Sequence, residues 1–125
     1  MKTSIIIHGH FYQPPRENPY TGIVPNQSSA KPSANWNEAI YKTCYRPNAV
    51  SRYLATDGSI KTIYNNYINI SSNLGQTLLD WIDSAHPGFM SKLLKADKES
   101  IKKFGHSSIM EQCFNHTIIP LDSTS

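Results

Sequence analysis

Charged residues and cysteines are both scarce in this sequence. Charged side chains make up 17% of the 125 residues, while 38% are hydrophobic; this balance differs from that of disordered chains, which combine few apolar residues with a high net charge. The two cysteines, Cys44 and Cys113, lie far apart and outside any Cys-x-x-Cys pair, so a zinc ribbon or a thioredoxin-type site has no support. We therefore expect one globular unit with reduced thiols, as is usual in the cytoplasm.

The sequence also lacks a long hydrophobic run. Three consecutive isoleucines near the N-terminus are too few for the apolar region of a signal peptide, and no stretch approaches the ~18 apolar residues of a membrane span. The basic residues are scattered, and their densest group, at 92–103, is interleaved with acidic residues at the spacing of a solvated helix face. These absences predict a cytoplasmic protein whose partners include neither a membrane nor a nucleic acid.

Hydrophobic periodicity predicts an alternation of strands and helices. A β-branched run at 3–7 predicts a buried strand, and a proline-rich stretch at 16–34 predicts a long loop. Helices are predicted at 36–45 (ending before Pro47), at 49–54, at 74–84, and from Pro87 to a stop at Gly105. A turn is predicted at Asp57 and Gly58, and a strand is predicted within 60–70. An apolar segment at 109–121 could add a further strand.

This order of elements is typical of an α/β fold. Two or three strands are too few to close a barrel or to form a well-protected parallel sheet. We therefore expect residues 1–125 to be the N-terminal portion of a larger barrel, truncated before the barrel closes.

His8 and His10 form the sharpest local feature. Both follow the predicted first strand, and side chains two residues apart on an extended segment point to the same side. Gly9 between them would let a ligand approach the backbone. Because α/β enzymes build their sites at the carboxyl ends of strands, the pair could hydrogen-bond to a ligand or, with a third ligand residue, bind a metal.

The residues from His8 to Pro19 read His-Gly-His-Phe-Tyr-Gln-Pro-Pro-Arg-Glu-Asn-Pro. This segment resembles the first signature region of glycoside hydrolase family 57, a His-x-His…Gln-Pro motif that follows the first barrel strand. The likeness continues at 57–58, 63–67 and 73–79. It ends at 115–121, Asn-His-Thr-Ile-Ile-Pro-Leu, which is similar to the second signature region, and so covers nearly the whole chain.

The resemblance implies a (β/α)7 barrel of the glycoside hydrolase/deacetylase type and an α-glucan or oligosaccharide substrate. It also implies a retaining mechanism, which uses two carboxylates about 5 Å apart. In the family these come from later signature regions, so we expect the nucleophile and the acid/base beyond Ser125 and no glycosidase activity in this chain alone. By the same resemblance His8, His10, Gln13 and His116 line the substrate cleft, with no metal and no cofactor. Many members of the family carry a Glu shortly before the His of the second region. Here Ser107 and Ser108 stand in that vicinity and Glu111 lies closer to His116, so we assign Glu111 no role.

Two other functions stay open at the level of the sequence. A metal-dependent polysaccharide deacetylase would share a related barrel, although no Asp precedes Asp57 to accompany the histidines. A non-catalytic carbohydrate-binding module is the other alternative, with Trp36 either stacking on a sugar or packing against the barrel. Four other large aromatic residues are predicted to lie in the core: Tyr64, Tyr67, Trp81 and Phe104.

Overall fold

The computed structural model describes residues 3–110, 112 and 113 as a mixed α/β fold. Its strands are β1 (His8–Phe11), β2 (Ser51–Leu54), β3 (Ile60–Tyr64) and β4 (Ser71–Leu74), and its α-helices are α1 (Trp36–Ile40), α2 (Arg46–Ala49), α3 (Gln76–Ala85) and α4 (Pro87–Phe104). A π-helical turn, Tyr41–Tyr45, joins α1 to α2, and short 3₁₀ turns occupy Ser28–Ala30 and Asn66–Ile68.

The first strand pairs in parallel with the fourth, which follows it by about sixty residues in the chain. His8 lies opposite Ser71 and His10 lies opposite Asn73. A single parallel bridge from Ser72 to Ile109 continues the sheet on the other side of β4. Consecutive parallel segments are thus neighbours in space, with α3 and α4 forming the crossover between β4 and Ile109.

The prediction of a buried strand at 3–7 is wrong. The strand begins at His8, and the exposed fractions of Ile5 and Ile6 are 88% and 86%. A strand exists only where a neighbouring strand pairs with it, and β4 pairs with residues 8–11. The final apolar segment, predicted at 109–121, meets β4 at Ile109, and most of it lies outside the described residues.

The helix predicted at 36–45 begins as expected and continues past its predicted end. Asn35 caps it, its side chain accepting from the amide of Glu38 at 2.9 Å. The chain then passes Pro47 without stopping, because the preceding π turn widens the helix, with the Arg46 amide donating to the carbonyl of Tyr41. Proline lacks an amide and crowds the carbonyl four residues earlier, and a π turn accommodates both.

A hairpin replaces the helix predicted at 49–54. Strands β2 and β3 pair antiparallel, with a register shift between Tyr53 and Leu54. The predicted turn is confirmed, since Gly58 has a φ of 82°, which favours glycine, and the Asp57 carboxylate accepts from the Ser59 amide at 2.9 Å.

The core lies between the helices and one face of the parallel strands. Tyr67 and Trp81 are buried as predicted, whereas Tyr64 and Phe104 are 54% and 46% exposed, contrary to prediction. The core residues are Tyr45, Ala49, Tyr67, Leu74, Leu78, Trp81, Ile82, Phe89, Leu93 and Ala96. None of the helices in the described part of the chain combines the length and the apolar character needed to cross a membrane.

Candidate functional site

His8 and His10 lie on the face of the parallel strands that the helices leave uncovered. The alternation of side chains along β1 sends Phe11 to the opposite face, where its ring packs edge-on against Tyr45 and Tyr67 with centroid separations of 5.7 Å. Both histidines are exposed. The structure therefore brings the two imidazoles to one side of the sheet, about 6.6 Å apart along the strand.

Each imidazole is oriented by a polar side chain from β4. His8 Nδ1 lies 2.9 Å from Ser71 Oγ, and His10 Nδ1 lies 2.9 Å from Asn73 Oδ1. These are the residues directly opposite in the strand register. The polar face is thus a four-residue patch, His8, Ser71, His10 and Asn73, which we call the histidine face.

The hydrogen bond to Asn73 fixes the tautomer of His10. An amide oxygen only accepts, so His10 Nδ1 carries a proton and donates to Asn73. Ser71 Oγ lies 2.9 Å from His8 Nδ1 and 3.4 Å from the carbonyl oxygen of Ile7. Since a hydroxyl both donates and accepts, Ser71 orients His8 in either tautomer.

The structure explains why residue 9 is glycine, which the sequence did not reveal. A Cβ placed on it would lie 2.6 Å from Cε2 of the Phe11 ring, on the core side of the strand. Space for the Phe11 ring, instead of access for a ligand, requires glycine here.

Gln13 lies in the interior, away from the histidine face. Its side chain is 1% exposed, and its Nε2 donates to the Tyr45 hydroxyl at 3.1 Å. Its Oε1 accepts from Arg16 Nη1, and its carbonyl accepts from the Thr77 hydroxyl at the start of α3. Gln13 therefore ties the loop after β1 to the helices, and the structure does not bring its side chain together with His8 and His10.

Arg16 and Asn37 complete this buried network, and sequence reasoning missed both. Arg16 Nη1 also donates to Asn37 Oδ1 at 2.6 Å. Because a guanidinium only donates, it orients both neighbouring amides: each turns its oxygen towards Arg16. The Nδ2 of Asn37, which is 1% exposed, is left without an acceptor among the described residues. The signal in the sequence was Arg16 itself, a charged residue between two prolines and the proline-rich loop.

The other sequence-predicted positions lie apart from the histidine face. Trp36 is 41% exposed, and its indole Nε1 donates to Ser29 at 3.1 Å. His116 lies outside the described residues, as does Glu111. Within 3–110, 112 and 113 no three His, Cys, Asp or Glu side chains are placed to hold a metal ion.

Comparisons with known proteins gave no match. No protein-family model matches this sequence, and neither a curated protein nor a solved structure does.

Proposed function

We propose that this chain is the N-terminal part of the catalytic barrel of a cytoplasmic enzyme that acts on α-glucans, of the glycoside hydrolase family 57 type. In this proposal His8 and His10 contact the sugar. The observation that carries it is the histidine face: two imidazoles, held by β4, on the side of the parallel strands opposite the helices.

The architecture supports the proposal because a barrel places its helices outside and its strand faces inside. Here the helices cover only the face that carries Phe11 and Leu74. The successive parallel segments β1, β4 and Ile109 are neighbours in chain order, as they are around a barrel. The polar histidine face then corresponds to the interior of a barrel, near the carboxyl end of the first strand.

The chemistry supports a neutral, hydroxyl-rich ligand. The imidazoles of His8 and His10, together with the Ser71 hydroxyl and the Asn73 amide, combine hydrogen-bond donors and acceptors in one patch. Such a mixture matches vicinal sugar hydroxyls, which donate and accept at neighbouring oxygens. Gln13 would act indirectly, by holding the loop after β1.

A binding titration of the chain with maltoheptaose tests the proposal. We expect saturable backbone amide shifts in β1 and β4 by NMR, with a Kd in the millimolar range, on the order of 4 kcal/mol, because a few exposed hydrogen bonds provide the affinity. His8→Ala and His10→Ala should each weaken binding about tenfold. His106→Ala is the matched control, since His106 is an exposed histidine elsewhere on the molecule.

Two outcomes would count against the proposal. If maltoheptaose changes the chemical shifts of backbone amides only outside β1 and β4, the histidine face does not bind the sugar. A saturable response of His8 and His10 to Zn²⁺, with no response to maltoheptaose, would favour the metal-dependent deacetylase instead.

A further inference from the structure

A pocket lies where α3 meets α4 and shares no residue with the histidine face. Its volume is about 280 Å³, close to the lower end of the range for small-molecule sites. The residues that line it are Tyr41, Arg46, Ala49, His86, Gly88, Phe89 and Lys92. Three of the seven are basic, and no lining residue in the described part of the chain is acidic.

The two cations of this pocket lack counterions in the described part of the chain. Neither the Arg46 guanidinium nor the Lys92 ammonium forms a hydrogen bond or an ion pair there, and the ion pairs among the described residues are His86 with Glu38 and Lys95 with Glu99. Arg46 also lines a neighbouring pocket with Lys42 and Arg52. The positively charged surface therefore extends beyond the edge of the first pocket, and it would attract an anion.

His86 is held rigidly at one wall. Its Nε2 lies 2.9 Å from the Glu38 carboxylate, and its ring stacks on Tyr41 at 3.7 Å with an interplanar angle of 12°. Since a carboxylate only accepts, Nε2 is the protonated nitrogen. Among the described residues Glu38 forms an ion pair with His86 and forms none with Arg46 or Lys92.

The walls between these groups are apolar. Tyr41 and Phe89 pack edge to face at 5.3 Å, and Ala49 is buried beside them. Apolar side chains beside a charge reduce its screening by water, which strengthens the attraction between a cation and a bound anion. A guanidinium fork beside an ammonium is the pair of donors that proteins use for phosphate oxygens.

We propose that this pocket binds a small phosphate-type oxyanion, with Arg46 and Lys92 as its charged donors. The ligand is either inorganic phosphate or the phosphate group of a small monoester.

The chain titrated with sodium phosphate, glucose 6-phosphate and glucose, each followed by NMR and calorimetry, tests this inference. We expect saturable shifts at the amides of Gly88 and Phe89 with phosphate or the monoester and none with glucose. A tighter Kd for glucose 6-phosphate identifies the monoester as the ligand, and equal or tighter binding of phosphate identifies the free ion. The Arg46→Gln/Lys92→Gln variant should bind roughly tenfold or more weakly, since it loses two charge-assisted donors.

Lys98→Gln/Lys102→Gln is the matched control, because it removes the same charge from exposed positions of α4 outside the pocket. It should bind within about twofold of the wild type. Equal weakening of phosphate binding in both double variants would overturn the proposal, because diffuse electrostatic attraction would then explain the binding. The absence of saturable phosphate binding would overturn it as well. Lys92→Gln alone carries the test if the Arg46 variant loses its helical circular dichroism. Failure here leaves maltoheptaose binding at the histidine face untouched, so the two proposals fail separately.

Discussion

Replacing Gly9 by alanine should destabilise the protein through the Phe11 ring. The added Cβ would lie 2.6 Å from Phe11 Cε2 and 2.7 Å from Cζ. To reach ordinary contact at 3.4 Å the ring must move by roughly 0.8 Å. It has little freedom to do so, because Tyr45 and Tyr67 pack against it edge-on and are 4% and 3% exposed.

The expected cost follows from these contacts. Overpacking of a filled core costs about 1–3 kcal/mol. Alanine restricts the unfolded chain more than glycine, which returns about 0.4–1 kcal/mol. We therefore expect Gly9→Ala to lower the free energy of unfolding by about 1–2 kcal/mol, which raises the unfolded fraction roughly 5- to 30-fold.

Urea unfolding, followed by tryptophan fluorescence and far-ultraviolet circular dichroism, measures this change. Gly88→Ala is the matched control, since nothing lies within 4 Å of a Cβ there, and we expect it to be neutral or stabilising by up to about 1 kcal/mol. Phe11→Leu in the Gly9→Ala background should recover part of the loss. A Gly9→Ala midpoint equal to or above that of the wild type would refute the steric explanation of Gly9.

Three further outcomes concern other parts of the molecule. Burial raises the pKa of Asp97, but hydrogen bonds from residues 107–109 outweigh burial and hold this pKa below its usual value. The stabilisation that Asp97 provides should be present at neutral pH and disappear as the pH falls through the lowered pKa. Asp97→Ala should lower the free energy of unfolding by about 1–2 kcal/mol, and an unchanged Tm would contradict this role. Burial raises the pKa of Tyr67, whose hydroxyl donates to the Tyr45 carbonyl at 3.1 Å. The stabilisation of the fold by neutral Tyr67 should be complete below a pH of about 10 and be lost as the pH rises through the raised pKa. Phenolate absorbance should show that Tyr67 ionises only as the chain unfolds, unlike exposed tyrosines. The chain alone should not hydrolyse maltooligosaccharides, starch or a chromogenic α-glucoside, and turnover above that of a His8→Ala control would contradict this expectation.

Local signals in the sequence predicted the helices after β4 well. Pro87 opens α4 at the position where a missing amide costs nothing, and Gly105, with a φ of 81°, ends it. Helix α3 was predicted to within two residues at each end. These features depend on residues within one or two helical turns, so the sequence alone contained them.

The strands were predicted less well because each depends on a distant partner. Isoleucines at 5–7 favour a strand by composition, yet the register with β4 begins at residue 8. Residues 51–54 lie in a strand because β3 pairs with them, although their local pattern suggested a helix. Tertiary pairing overrides local propensity where neither residue type nor period is decisive.

The candidate site shows the same division. The sequence by itself determined that two histidines share one side of a strand, because side chains alternate along any extended chain. Only the tertiary structure decided which side that is and which residues of β4 orient the rings. Only the tertiary structure, too, placed Gln13 inside with Arg16 and Asn37. The physical reason is that burial and hydrogen bonding are relations between segments far apart in the chain, and folding alone brings those segments together.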